Sequence, residues 1–191
     1  LSDQELIKQL KEGNESAFKI IVEKWQDMVF NTCMGLVQDA NDAEDVAQEV
    51  FIQVYESVEQ FKGESKFSTW LYRIAVTKSL DHLRKKKRKK RFAFLQSLFG
   101  VNEEEVIQDP EFHHPGVKLE NKEQAAVLFK AISKLPDNQK AAFTLHKLEG
   151  LSYQEVAEAL STTVSSVESL MHRARGNLRK ILTDYYQKNN G

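Results

Sequence analysis

The 191-residue sequence predicts an all-α protein of two small helical domains joined by a flexible linker. Three observations predict it. Apolar residues recur at intervals of three and four through long stretches free of proline, the pattern of helices with one buried stripe, and no segment alternates with period two for long enough to form a sheet. Two of the three prolines, Pro110 and Pro115, fall in a central acidic stretch that lacks this periodicity. Beyond it the periodicity resumes with sharply placed helix start and stop signals. A chain of this length suits one ordinary domain or two small ones.

In order along the chain, a short helix is expected near Gln4 to Lys11, and a longer one from near Asn14 with Phe18, Ile21, Val22, Trp25, Met28, Val29 and Thr32 on one stripe. The next stripe is Ala43, Val46, Ala47, Val50, Phe51, Val54, Tyr55 and Val58. Gly63 breaks the pattern within FKGES, after which Ser68 is expected to cap a helix running through WLYRIAVTKSLDHLRK into the basic residues that follow. These elements make a first domain over residues 1–91. Cys33, the only cysteine, lies among Val29, Phe30, Met34 and Leu36 and reads as a buried structural thiol, with neither a disulfide framework nor a thiolate metal cluster.

Residues 92–120 read as a tether. His113 and His114 stand there beside Glu111, but no further ligand at metal-binding spacing accompanies them, so they belong to the solvated linker.

The second domain covers residues 121–187. Lys122 to Ser133 forms one helix, and LPDNQKAAFTLHKLEG another, with Pro136 near its first turn and Gly150 as its stop. In LSYQEVAEAL, Ser152 and Glu155 make a capping-box pattern, with Val156, Ala157 and Leu160 facing inward. After Ser161, Thr162 and Thr163 a last helix opens with VSSVESLMHRARGNLRKIL, where Ser165 and Glu168 repeat the capping pattern. Val167, Met171, Ala174 and Leu178 would face the core, leaving Ser165, Ser166, Glu168, Ser169, His172 and Arg173 available to DNA. Two short amphipathic helices about a tight turn, the second carrying Arg173, Arg175, Arg179 and Lys180, form a helix-turn-helix. One helix is narrow enough for the major groove and the other holds it against the backbone. A helical hairpin of a protein-interaction module shows the same periodicity, so this motif alone leaves both readings open.

Charge separates them. The chain has a formal net charge of -1, yet Lys62 to Arg91 carries +10 and the remaining 161 residues -11. The densest part is RKKKRKKR, residues 84 to 91. Such a local field attracts polyanions, nucleic acid first and an anionic membrane surface second. Trp70 and Tyr72 stand among Lys62, Lys66, Arg73 and Lys78, a mixture that can stack an unpaired base and grip its backbone. Stacking contributes roughly 1 to 3 kcal/mol per base, comparable to the cost of unstacking one. Trp70 reads equally well as core. Asp42, Glu44, Asp45 and Glu49, on the polar sides of their helix, suit a basic protein partner and oppose phosphate, although Asp42 is also good capping chemistry. No apolar run approaches the roughly 18 residues of a membrane span, and LSDQELIKQLKEG has no signal-peptide core, so a cytoplasmic protein without membrane insertion is expected. No carboxylate cluster or histidine motif supports metal-assisted hydrolysis, so neither catalysis nor a cofactor is expected.

Three stretches in order resemble a known family: DAEDVAQEVFIQVY (42–55), FKGESKFSTWLYRIAVTKSLDHLRK (61–85), and LEGLSYQEVAEAL followed by VSSVESLMHRARGNLRK. The chain resembles a bacterial RNA polymerase sigma factor of the extracytoplasmic-function group, the smallest members of the sigma-70 family. The resemblance implies a non-catalytic specificity subunit that binds core RNA polymerase at its clamp and flap regions, promotes strand opening of promoter DNA, and meets an anti-sigma factor. It assigns Asp42, Asp45, Gln48, Glu49 and Phe51 to polymerase binding. Lys62, Lys66, Trp70, Tyr72, Arg73, Thr77, Lys78 and Arg84 fall to the -10 element and melting. Ser165, Ser166, Glu168, Ser169, His172, Arg173 and Arg175 fall to the -35 element.

The chain departs from the family pattern at specific places. Thr77 stands where members commonly have an asparagine lining a pocket for a flipped -10 base, and it offers a hydroxyl but no amide. Ser165, Ser166, Glu168 and Leu170 replace the usual glycine, threonine, lysine and arginine of the recognition helix. Glu168 is expected to serve the Ser165 cap rather than to accept from cytosine N4. The basic block is longer than the family's and is expected to grip phosphates.

Overall fold

The computed structural model describes residues 2–98 and 122–189, and all regular structure among them is helical. Helix α1 (Asp3–Lys11) starts with a capping box in which the Ser2 hydroxyl accepts from the Glu5 N–H and the Glu5 carboxylate accepts from the Ser2 N–H. Helix α2 (Glu15–Val37) is capped by Asn14, whose side-chain oxygen accepts from the Ser16 and Ala17 N–H groups. Helix α3 (Ala40–Ser57) is capped by Asp39 and runs into a short 3-10 turn at Val58–Gln60. Helix α4 spans Phe67–Leu98. The four helices close on Ile21, Val29, Met34, Val46, Val50, Val54 and Leu71, each no more than 1% exposed.

Two local expectations fail here. Ser68 lies inside the first turn of α4, not at its cap, because the helix already starts at Phe67. Tyr55, expected on the buried stripe of α3, is 47% exposed and rests edge-on against Phe18. Helix α4 also passes through the basic block and beyond residue 91. Lysine and arginine are good helix formers, no glycine or proline interrupts them, and like charges one turn apart cost only tenths of a kcal/mol per pair, about 0.2 to 0.5. Residues 99–121, with Pro110, His113, His114 and Pro115, lie outside the described residues.

The second unit comprises α5 (Lys122–Ser133), α6 (Asp137–Phe143), α7 (Tyr153–Ala159) and α8 (Val164–Asn189). The helix expected to run unbroken to Gly150 instead widens into a π-helical turn at Thr144–Leu148, where the Glu149 N–H donates to the Thr144 carbonyl. Gly150 then takes φ +74°, a conformation that glycine adopts without strain, and the chain turns into α7. The Ser152–Glu155 capping box forms as expected. Ile132, Leu145, Val156 and Met171 are fully buried.

The two units touch. Leu36 of α2 and Val76 and Leu80 of α4 share an apolar cluster with Ala141, Leu145, Leu151, Val156 and Met171 of the second unit.

Candidate nucleic-acid interface

Helices α7 and α8 meet at a turn where Ser161 adopts φ +52°. Val167, Met171, Ala174 and Leu178 face inward, at 6% exposure or less, as the spacing predicts. The first turn of α8 is capped by Thr163, whose hydroxyl oxygen accepts from the Ser166 N–H at 3.2 Å. The expected Ser165–Glu168 capping pair is thereby overturned, because α8 already starts at Val164, so Ser165 lies inside its first turn and Thr163 holds the capping position. Glu168 is exposed and not used in a cap, so it stands on the outer face with Ser165, Ser169, His172 and Arg173. Ser166 is half-buried. The Arg173 Nε donates to the Ser169 carbonyl, aligning the guanidinium along the helix, and Arg175 donates to the Tyr153 hydroxyl across the motif.

On α4 the basic and aromatic residues divide. Trp70 is half-buried and packs against Phe61 and Phe67, with ring centroids 5.2 and 5.6 Å away, so it belongs in part to the core of the first unit. Lys62 is exposed and Lys78 half-buried. The Thr77 hydroxyl donates to the Arg73 carbonyl one turn back, at 2.8 Å. Lys66 pairs with Glu155 at 3.1 Å, the Tyr72 hydroxyl donates to the Glu149 carboxylate at 3.4 Å, and Arg73 donates to the Glu158 carbonyl at 2.6 Å. Arg84 reaches both Asp81 and Asp137, and Lys87 faces Asp137.

This crowding changes ionisation. Burial pushes the Glu149 carboxyl above the usual carboxylate range, although the Tyr72 and Thr32 hydroxyls favour its ionised form. Burial also raises the Tyr72 hydroxyl, and the nearby Glu149 charge adds to the shift. Lys140, only 2% exposed, is pulled down by burial and by the Lys87 charge, with Asp137 acting the other way. The Cys33 thiol is wholly buried and pushed up to about 12 by loss of solvent, consistent with an inert structural role.

The acidic helix also sorts its residues. Asp45, Gln48 and Glu49 are exposed on α3. Phe51 is 8% exposed in the core of the first unit, which corrects its assignment to a partner surface: the inward stripe takes its ring. Asp42 is held inside the unit by His82 and Lys86. Burial opposes its ionised form, but the hydrogen bond and charge of Lys86 and the charge of His82 outweigh that and hold the carboxyl below its usual range. Sequence reasoning missed Ile52, 57% exposed beside Glu49 and one turn from Gln48. An apolar residue in phase with the polar stripe was the available signal.

The sequence comparisons agree with this layout. The description Sigma-70 region 2 matches residues 21–89, and Sigma-70, region 4 matches residues 125–178. The chain belongs to the sigma-70 family, in its extracytoplasmic-function group. It is 37% identical over 185 residues to an ECF RNA polymerase sigma-E factor of Haemophilus influenzae, with 92% of each chain covered. It is 36% identical over 186 residues to the ECF RNA polymerase sigma factor SigW of Bacillus subtilis, covering 93% of this chain and 95% of that one. Its fold is similar to that of CnrH in complex with the cytosolic domain of CnrY, with a TM-score of 0.65 at 22% identity, covering 95% of this chain and 97% of that one. As a sigma factor it recognises promoters and works with core RNA polymerase. The first unit is its region 2 and the second its region 4, with α7 and α8 as the helix-turn-helix. Among the described residues no helix is long and apolar enough to cross a membrane.

Proposed function

We propose that this sigma factor docks on core polymerase through the exposed side of α3, opens the -10 element with α4, and reads the -35 element with the start of α8. The observation that carries the reading is the separation of charge by surface. Asp45 and Glu49 stand free on α3 around the exposed Ile52, whereas Lys62, Lys66, Arg73, Lys78 and Arg84 lie along α4 and the loop before it. An acidic rim around an apolar centre suits a basic protein groove, and phosphate would be repelled from it. Lys62, Lys66, Tyr72, Arg73, Thr77, Lys78 and Arg84 take the -10 strand, with Trp70 as their partly buried base. Ser165, Ser166, Glu168, Ser169, His172, Arg173 and Arg175 take the -35 duplex, and the exposed Glu168 is free to accept from cytosine N4.

The subunit is non-catalytic and cytoplasmic, needs no cofactor, and uses the segment between the end of α4 at Leu98 and the start of α5 at Lys122 as the tether that lets the two domains address separate elements. Solved sigma factors of similar fold are captured with the cytosolic domain of CnrY or the anti-sigma factor NepR, which supports an anti-sigma protein as a further partner. The test is titration of the purified chain into core polymerase, followed by unpaired-base reactivity on promoter DNA. Asp45→Lys with Glu49→Lys should weaken core binding while helix content stays constant. Unchanged core affinity would remove α3 from the interface.

A further inference from the structure

Helix α4 continues well past the core of region 2. From Arg84 to Phe94 every residue is exposed, and no acidic side chain follows Asp81 in the helix. The protein itself holds some of the cations here: Arg84 reaches Asp81 and Asp137, Lys86 binds Asp42, and Lys87 faces Asp137. Lys85, Arg88, Lys89, Lys90 and Arg91 have no acidic partner among the described residues. They form an exposed arm of uncompensated positive charge.

The charge stops at Arg91. From Phe92 to Leu98, where the helix ends, the sequence FAFLQSL carries none. Phe92 and Phe94 are 63% and 64% exposed, more than any other large apolar side chain among the described residues. Neither belongs to an apolar cluster or stacks on another described ring. Each ring stands one helical turn beyond two cations, Phe92 beyond Arg88 and Lys89, and Phe94 beyond Lys90 and Arg91. Charge and apolar surface are thus separated along the axis of the arm, cations nearer the body and rings nearer the tip.

That order selects the occupant. A duplex backbone would use the cations and leave both rings in water. A second copy would bring like charge against like. An anionic bilayer matches both parts, with phosphate headgroups at its surface and apolar acyl chains about 5 to 10 Å beneath. One helical turn is about 5.4 Å, so rings that enter the acyl boundary leave the cations one turn behind at the headgroups. We propose that the arm of α4 from Lys85 to Phe94 is a peripheral docking site for an anionic phospholipid surface, met tip first. The site lies beyond the residues assigned to the -10 strand and does not depend on that assignment.

The test is sedimentation of the full purified chain with vesicles of phosphatidylcholine alone or with about one third phosphatidylglycerol. The chain should pellet with the anionic vesicles and not with the neutral ones, and added salt should weaken the binding. Lys85→Gln with Arg88→Gln should reduce the partition by about fivefold for each charge. Phe92→Ser with Phe94→Ser should reduce it by about tenfold and leave promoter binding by the holoenzyme unchanged. Both pairs of positions are exposed, and circular dichroism checks that the helix content of each variant is kept. Equal binding to the two vesicle types, or binding to neither, overturns the proposal. So does anionic vesicle binding that persists undiminished in the phenylalanine variant. If that variant keeps its vesicle binding but loses affinity for a fluorescein-labelled single strand, the rings stack bases and the arm is a nucleic-acid surface instead.

Discussion

The two surfaces assigned to DNA differ in what covers them. On α8, Ser165, Glu168, Ser169, His172 and Arg173 face solvent, and their neighbours Val167, Met171 and Ala174 are buried within the same domain. On α4 and just before it, Lys66, Tyr72 and Arg73 are engaged by another domain, and Trp70 serves partly as core. The recognition helix is thus a finished local device whose readiness depends on one small unit. The α4 surface belongs at once to a fold, to an interdomain contact and to a ligand site, so a substitution there shifts several equilibria together.

The largest expected effect follows from that overlap. Trp70→Ala should lower stability by about 2 kcal/mol, less than the roughly 3 to 5 of a fully buried aromatic because the ring is partly exposed, as read from the urea midpoint. It should also reduce unpaired-base reactivity of the -10 segment in the holoenzyme. Arg173→Ala is its counterpart on α8. It should cost about 1 to 3 kcal/mol at one -35 base position and leave the unfolding midpoint within about 0.5 kcal/mol of the parent. Comparable stability losses in both variants would erase the distinction between the surfaces.

Salt separates the two surfaces in another way. Neutralising Lys85, Arg88, Lys89 and Lys90 should weaken holoenzyme binding about equally on intact and altered -35 sequences. The salt slope should flatten by up to about 0.9 log unit for each phosphate that is no longer neutralised. A change in base preference with an unchanged slope would show that the block reads sequence.

The smallest effects concern the interdomain contact itself. Asp137→Asn removes the partner of Arg84 and Lys87, whose side chains are 54% and 63% exposed, so scattering should show opening worth no more than about 1 kcal/mol. Acidity should act through Glu149, whose carboxyl is raised in the closed chain and returns toward its ordinary value of 4.5 on opening. Below that value both forms are protonated and closure is insensitive to pH. Above it the closed form retains the proton longer, so closure weakens as pH rises toward neutrality. Lys140, lowered from 10.5 by burial, acts in the opposite sense in the alkaline range. Scattering at mildly acidic and neutral pH checks the sign, and Glu149→Gln should abolish the difference.

The helices, the division into two domains and the inward faces were legible in the amino-acid order, with Tyr55 on α3 and the π-helical turn at Thr144–Leu148 as exceptions. Each follows from periodicity and from short-range capping chemistry that needs no distant partner. Asn14, Asp39 and the Ser2–Glu5 and Ser152–Glu155 pairs act within three residues of themselves, and Val167, Met171 and Ala174 reveal their face by spacing alone. Even so, local grammar misplaces the cap of α8, because Thr163 and Ser165 are chemically equivalent candidates two residues apart. Family resemblance likewise puts Phe51 on a partner surface, although its place on the apolar stripe says otherwise. Which polar groups are available was settled by the packing of the folded chain. Whether Asp42 faces a partner or Lys86, whether Arg73 faces DNA or Glu158, and why Gly35 lacks a side chain all depend on residues 44 to 113 positions away. Such contacts leave no periodic trace in the chain, because they are set by how two folded surfaces meet and not by the path of the backbone through either one.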